Sequence, residues 1–427
     1  MRILMAIPHT LPAPDGGHGC PVMSWAMLRW LKEAGHEVHV FAFSPTASER
    51  EPERVRARGH IARLGVPLVE TGAERPFAGL SPARLRLITA RRVLRPAAED
   101  YFAESIFHRG RWTQAVERIR PEAFWLYTMD AVALAHETFP AIPRLASLVD
   151  LDHEARELKR TLRADTLRNR GKNALERLQD RALPKTVIEF LSACDVVVEH
   201  SISSTEWLRL RGIPAAYFPN PVESQPLTPD WFPHRDRLLR ETAPRRILMV
   251  GYLRGIATQT GLRLLADEVL PALSARSDLG EWEVHIVGGG ELPTELKAKL
   301  TNDPRVRLRG FVDDLAAEYQ QAHVNLVTVS ERLGFRTRLV EAFAYGAPSV
   351  VHENNRSGMP ELLDQENVLL AATGEGLARA VARLLTDDAL RARLEWNARK
   401  TYEERLSVEY VMSAMTRMLE EVIDSRR

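Results

Sequence analysis

Residues 330–360 read SERLGFRTRLVEAFAYGAPSVVHENNRSGMP, and the changes of pattern inside this stretch decide the fold. The run VNLVTV (324–329) leads into it as a strand that ends at Ser330. A loop holding Gly334 and Phe335 follows, and a helix begins near Thr337 and runs through Glu341. Gly346 ends that helix, and PSVVHE (348–353) opens the next strand. Apolar residues at successive positions, rather than alternating ones, mark strands covered on both faces and therefore a parallel sheet.

The same rhythm extends outward. RILMVG (246–251) and VHIVGG (284–289) precede the block; ILMAI (3–7), VHVFAF (38–43), AFWLY (123–127), RLASLV (144–149) and DVVVEH (195–200) lie in the first half. Amphipathic stretches such as 23–35, 260–276 and 376–396 fall between them, which is the pattern of a doubly wound α/β chain. It occurs twice. The seam, PNPVESQPLTPDWFPHRD (219–236), has five prolines and no helical periodicity. We therefore expect an N-terminal Rossmann-like domain over 1–222, a linker over 223–243 and a second Rossmann-like domain over 244–401. A C-terminal helix over 402–427 is expected to pack back on the first domain.

The length of 427 residues suits two domains of roughly 200 residues each. Lys plus Arg is 58 against 57 for Asp plus Glu, so no general basic surface exists for nucleic acid. Only 7 of those bases are Lys, as expected from a GC-rich bacterial genome. Two cysteines, Cys20 and Cys194, make neither a disulfide framework nor a metal knuckle, which fits a reducing cytoplasm. The opening MRILMAIPHT is too short in apolar residues for a signal peptide, and no run approaches the ~20 needed to span a bilayer. Two local basic stretches, 84–95 and 155–185, are either solvated helix faces or a surface for anionic lipid or a phosphorylated acceptor.

The chemistry of residues 330–360 points to an anion. Gly334 at a helix N-terminus lets backbone amides approach it, and the helix dipole favours it there. Arg336 and Arg338 can clamp a phosphate, and Glu341 can accept hydrogen bonds from vicinal hydroxyls such as those of a ribose. In the first half, SLVDLDHEA (147–155) sits at a strand end. There Asp150, Asp152 and His153 can supply hydrogen bonds or a base to a hydroxyl. For Asp152 and His153 the alternatives are a helix cap and an exposed ring. The serines 201, 203 and 204 read as caps of a helix starting near Thr205, and VGGG (287–290) as a close backbone approach at a strand end.

With Gly334, Phe335, Glu341, Ala342, Gly346, Pro348 and Val350 in place, the block resembles the donor-site signature of family 4 glycosyltransferases. These are retaining enzymes of the GT-B fold, two Rossmann-like domains facing each other across a cleft. The likeness extends over ILMVGY, VHIVGGG, VRLRGFVDDLAAEYQQAHV and NVLLA, and over the opening PHTLPAPDGGHG. It implies transfer of a hexosyl or related sugar (EC 2.4) from a nucleoside-diphosphate sugar to an acceptor hydroxyl on a glycan, glycolipid or small molecule. It further implies that Gly334, Phe335 and Arg336 offer amides to the pyrophosphate and that Glu341 holds the ribose. Phe311 and Val312 would flank the base, and Gly251 would begin the phosphate-facing loop. Arg254 and Arg338 would clamp the pyrophosphate, while Gly16, Gly17 and His18 would line the acceptor side.

The chain departs from the family pattern where Leu333 replaces a usual Glu; the nearest carboxylate is Glu331, which with Asp150 is our candidate catalytic pair. Asp150-Leu151-Asp152 also mimics the carboxylate pair of metal-dependent GT-A enzymes, but the duplicated Rossmann pattern argues against that, so neither metal nor cofactor is expected. The rivals are a sugar-nucleotide epimerase on the same scaffold and a degenerate donor-binding partner subunit. The expected location is the cytoplasm, with peripheral membrane contact through 84–95 and 155–185.

Overall fold

A computed structural model describes residues 1–14, 19–43, 51–71, 90, 101–149, 151–163, 165–224, 227–332 and 334–426. It divides into two compact units, Met1–Pro221 with Val411–Arg427, and Val222–Tyr410.

The first unit is built on a seven-stranded sheet. Its strands are β1 (Arg2–Pro8), β2 (Glu37–Phe43), β3 (Leu68–Glu70), β4 (Ala123–Tyr127), β5 (Arg144–Leu148), β6 (Val196–Glu199) and β7 (Ala216–Tyr217), in the order β3-β2-β1-β4-β5-β6-β7. Every pairing is parallel. All five residues of β4 and of β5 are buried, as a central strand with both faces covered requires. The core centres on Trp112, whose ring packs against Phe41 and Phe124 at centroid distances of 5.3 and 4.9 Å. The terminal helix Val408–Ser425 ends beside Arg426, which pairs with Asp195 and donates to the Ala141 carbonyl.

The second unit has six strands, β8 (Arg245–Val250), β9 (Trp282–Val287), β10 (Val306–Gly310), β11 (Val324–Val327), β12 (Ser349–His352) and β13 (Val368–Ala371), in the order β10-β9-β8-β11-β12-β13, again all parallel. Ile247 and Met249 belong to one apolar cluster and Leu248 to another. Alternate side chains of β8 therefore leave for opposite faces, and each face is covered.

Part of the stretch read as linker is structured. Trp231–Glu241 is a helix, and Pro233 lies in its first turn, where a missing N–H is harmless. From it the wholly buried Arg235 donates to the carbonyls of Tyr319, Gln320 and Ala322 at 2.6–2.7 Å and meets Glu395 at 3.3 Å. The helix after β6 also differs from expectation: it begins at Ile202, and Ser201 caps it without a side-chain bond. Ser204 instead donates to Glu154. Among the described residues no helix is long and apolar enough to cross a membrane.

Candidate functional site

In an open parallel sheet, ligands bind beyond the carboxyl ends of the strands where the winding reverses. In the second unit that point lies between β8 and β11. The chain leaves β8 through Gly251 and re-enters a helix, Ile256–Leu264, behind Gly255; it leaves β11 through Thr328–Glu331 and re-enters Thr337–Ala344. Neither helix has a side-chain cap, so their N-terminal amides are not occupied by capping side chains. Their first turns touch: Arg338 Nη2 donates to Thr258 Oγ1 at 3.0 Å. Gly251, Thr258, Gly261, Thr328 and Arg338 line one small pocket there.

The backbone is closely packed at this point, most tightly at Gly288. A Cβ on Gly251 would lie 2.6 Å from Arg338 Nη1 and 2.8 Å from Thr258 Oγ1. A Cβ on Gly288 would lie 1.9 Å from the Gly251 carbonyl oxygen, and its φ of 153° is costly for any other residue. The close backbone approach read from VGGG is thus the packing of β9's end on β8's end, where Gly251 N donates to Val287 O at 2.9 Å.

Arg338 is a half-buried cation with no carboxylate in ion-pair reach among the described residues. Burial, with help from Arg336, presses its pKa down to about 10, so it remains charged near neutrality. Glu341, one turn further along the same helix, has no hydrogen bond or ion pair among the described residues. Burial pushes its pKa up to about 7, against the opposing charge of Arg338. Tyr319, missed by the sequence reading, is fully buried beside them and donates to the Arg338 carbonyl at 3.3 Å. Thr258 was missed as well; its position in the first turn after the Gly251 loop is the signal that would have found it.

The loop before helix Thr337–Ala344 is tied to the turn that follows β12. Gly334 has a φ of 73°, and a Cβ on Gly358 would lie 2.2 Å from its carbonyl oxygen. Arg336 donates to Asn355 Oδ1 at 2.8 Å and to the Glu331 carbonyl at 2.9 Å. Phe335 is buried with Leu339, Val340 and Met359, so only its backbone is available to a ligand. Glu331 is half-buried with its Oε2 unbonded, and the loop position Leu333 lies outside the described residues. Arg254 is half exposed and sits 3.7 Å from Glu291. Phe311 is 65% exposed, an unusual position for a phenyl ring and one suited to a flat ligand, whereas Val312 is partly buried against the core.

In the first unit, Gly16, Gly17, His18 and Asp150 lie outside the described residues, as does the basic stretch 84–95 apart from position 90. Asp152 is the first residue of helix Asp152–Thr161, whose N-cap position is Leu151 rather than Asp152. His153 is neither an exposed ring nor placed as a base. It packs against Trp207 with ring centroids 4.4 Å apart and planes tilted by 39°, with both ring nitrogens buried and unbonded, and burial together with Arg211 lowers its pKa to about 4. Six of the ten basic residues in 155–185 are in ion pairs with the four acids of that stretch, bracing helices Asp152–Thr161 and Leu167–Asp180.

Residues 244–387 match the model of the family described as glycosyl transferases group 1. No curated protein matches the chain by sequence. Among solved structures, sucrose-phosphate synthase from Thermosynechococcus elongatus is similar at a TM-score of 0.69 and 16% identity, with 99% of each chain covered. The fold is GT-B. HepE from Anabaena, solved in complex with UDP-glucose, gives a TM-score of 0.61 at 15% identity with 100% of each chain covered. The α,α-trehalose 6-phosphate synthase of Burkholderia multivorans gives 0.63 at 14% identity, covering 99% of this chain and 97% of that one. The matched residues 244–387 contain Gly251, Thr258, Arg338 and Glu341, the constellation at the β8/β11 switch point.

Proposed function

We propose that this chain transfers a sugar from a nucleoside-diphosphate sugar to an acceptor hydroxyl. The observation that carries the reading is Arg338: a cation held without a carboxylate partner among the described residues, against a strand-end glycine and two uncapped helix N-termini. A half-buried charge in that state calls for an anion, and a diphosphate supplies one with the right geometry for a guanidinium fork. As the bond between sugar and diphosphate breaks, negative charge builds on the leaving oxygens, and Arg338, Arg336 and the helix amides stabilise it in place. Glu341 accepts the ribose hydroxyls, and Phe311 stacks on the base. Likeness to a fold solved with UDP-glucose supports a UDP-hexose as donor. Retention at the anomeric carbon follows from the family 4 resemblance, and no metal takes part. Glu331 hydrogen-bonds the transferred sugar, and Asp150 serves the acceptor. We place the enzyme in the cytoplasm of a bacterium, serving cell-surface polysaccharide, glycolipid or natural-product glycosylation, with peripheral contact to anionic membrane.

The reading is tested by thermal unfolding of the full chain with UDP, and by release of UDP from UDP-glucose. A ligand present at 100 times its Kd adds about 2.7 kcal/mol of stability, which is readily seen. Arg338→Ala and Glu341→Ala should stay folded, lose the UDP-induced shift and lose turnover. Retention of both by both variants would refute the site.

A further inference from the structure

The turn that follows β12, Glu353–Ser357, carries two neighbouring asparagines. Both reach back to the chain between β11 and helix Thr337–Ala344. Asn354 Nδ2 donates to the Ser330 carbonyl at 2.8 Å, and its Oδ1 accepts from Arg332 Nε at 3.1 Å. Asn355 Nδ2 donates to the carbonyls of Val329 and His352, at 2.8 and 2.7 Å, and its Oδ1 accepts from Arg336 Nε at 2.8 Å. The two differ in setting. Asn354 is half-buried and holds an exposed arginine, whereas Asn355 is 3% exposed.

The bonds at Asn355 suit one side chain. Two carbonyls require two donors and a guanidinium requires an acceptor, and a single short amide supplies all three. A carboxylate would turn its oxygens toward two carbonyl oxygens, and an apolar side chain would leave these groups without a partner in a buried place. His352 closes β12 and Val329 lies two residues beyond β11, so the amide takes its position from the end of the sheet. Its own main chain is held as well: the Asn355 carbonyl accepts from the nitrogens of Gly358 and Met359 at 3.1 Å.

What Asn355 holds is a charge. Arg336 occupies the N-cap position of helix Thr337–Ala344, and its Nη2 donates to the Glu331 carbonyl at 2.9 Å. Asn355 and that carbonyl are neutral acceptors, so these bonds orient the guanidinium without cancelling its charge. Arg338 stands two residues further on, in the first turn of the same helix, and the Arg336 charge helps burial to press its pKa down. Like charges so placed repel each other, and a ligand carrying more than one negative charge relieves them.

We propose that Asn355 is a positioning residue of the donor site: it fixes Arg336 against the end of the sheet, so that Arg336 and Arg338 together select a nucleoside diphosphate over a monophosphate. Asn355 itself does not touch the donor and acts through the guanidinium. A loose arginine loses rotamer freedom when a ligand arrests it, and a side chain already held at Nε loses less. The proposal rests on the donor reading above and involves residues of the second unit alone.

The test is a calorimetric titration of the full chain with UDP and with UMP, read as the ratio of the two affinities. The wild type should prefer UDP. Arg336→Ala should cut the ratio about tenfold. Asn355→Ala should cut it by much of that amount, and the double variant should fall no further than Arg336→Ala alone, because the two residues act as one device. Arg336→Lys keeps the charge but lacks the Nε–H that Asn355 holds, and should also lower the ratio; it decides the matter where an Asn355 variant does not fold. Asn354→Ala removes comparable bonds to Ser330 and Arg332 and should keep the wild-type ratio. A wild-type ratio in Arg336→Lys, equal losses of UDP and UMP affinity in Asn355→Ala, or a further loss in the double variant would overturn the assignment. So would a fall in Asn354→Ala as large as that in Asn355→Ala. Absence of UDP binding by the wild type overturns the donor reading instead, and this assignment with it.

Discussion

The two sheets share one winding and differ in what they place at its turning point. In each, the first strand is central, the next two lie to one side and the remainder to the other. The residue that follows the first strand is His9 in one unit and Gly251 in the other. At Gly251 the side chain is removed so that Arg338 and Thr258 can close on the backbone. At His9 a side chain is kept despite an unfavourable φ of 68°, and it meets a carboxylate. One turning point presents a cation and uncapped helix amides, the other an imidazole bonded to a carboxylate. The same topology thus yields two different arrangements of charge through one position, by keeping or deleting a Cβ.

The sharpest way to break this contrast is Gly288→Ala. The new methyl would meet the Gly251 backbone, which cannot move aside as a flexible side chain could, and the φ of 153° adds strain. We expect a loss of roughly 3 kcal/mol in urea unfolding of the second unit's transition. Gly289→Ala, whose Cβ would meet nothing closer than Phe311 at 4.0 Å, should unfold like the wild type. Equal stability of the two variants would show that β8 and β9 do not pack as described.

Gly251→Ala should do less to the fold and more to the ligand. Its Cβ would meet the end of Arg338 and the Thr258 hydroxyl, both of which can yield. The displaced guanidinium should lower UDP affinity about tenfold, near 1.4 kcal/mol, in a calorimetric titration. His9→Ala in the other unit should leave UDP affinity unchanged. An equal loss in both would erase the division of labour between the two switch points.

Legibility in the sequence followed the locality of the features. Gly251, Arg338 and Glu341 were readable because each lies at a strand end or one turn into a helix whose pattern is plain. His9 and Asp130 were not, since 121 positions separate them and only the strand order makes them neighbours. The carboxylates after β5 are more conspicuous in the sequence, yet His153 beside them is a ring packed on Trp207. The helix Trp231–Glu241 was hidden by its prolines and by Arg235, a charge that reads as surface yet is wholly buried on three carbonyls. The short edge strands β3 and β7, three and two residues long, leave too little pattern to see.

The smallest effect expected concerns Glu341, and its sign separates a ligand-binding role from a structural one. Burial raises its pKa from the ordinary carboxylate value of 4.5 to about 7 in the folded chain. Between those values the folded state binds the proton more tightly than the unfolded state does, so stability falls as pH rises through that window. Glu341→Gln resembles the protonated form and escapes this loss. Its Tm should therefore exceed that of the wild type by more at pH 8 than at pH 5, by at most a few degrees on roughly the scale of 1 kcal/mol. On the proposed reading of Glu341 as the acceptor for ribose hydroxyls, UDP affinity should move the opposite way, because glutamine gives up the carboxylate that those hydroxyls bind. A glutamine variant no more stable at pH 8 than at pH 5 would mean that Glu341 is not held at a raised pKa, and Arg338 would then have a compensating charge after all.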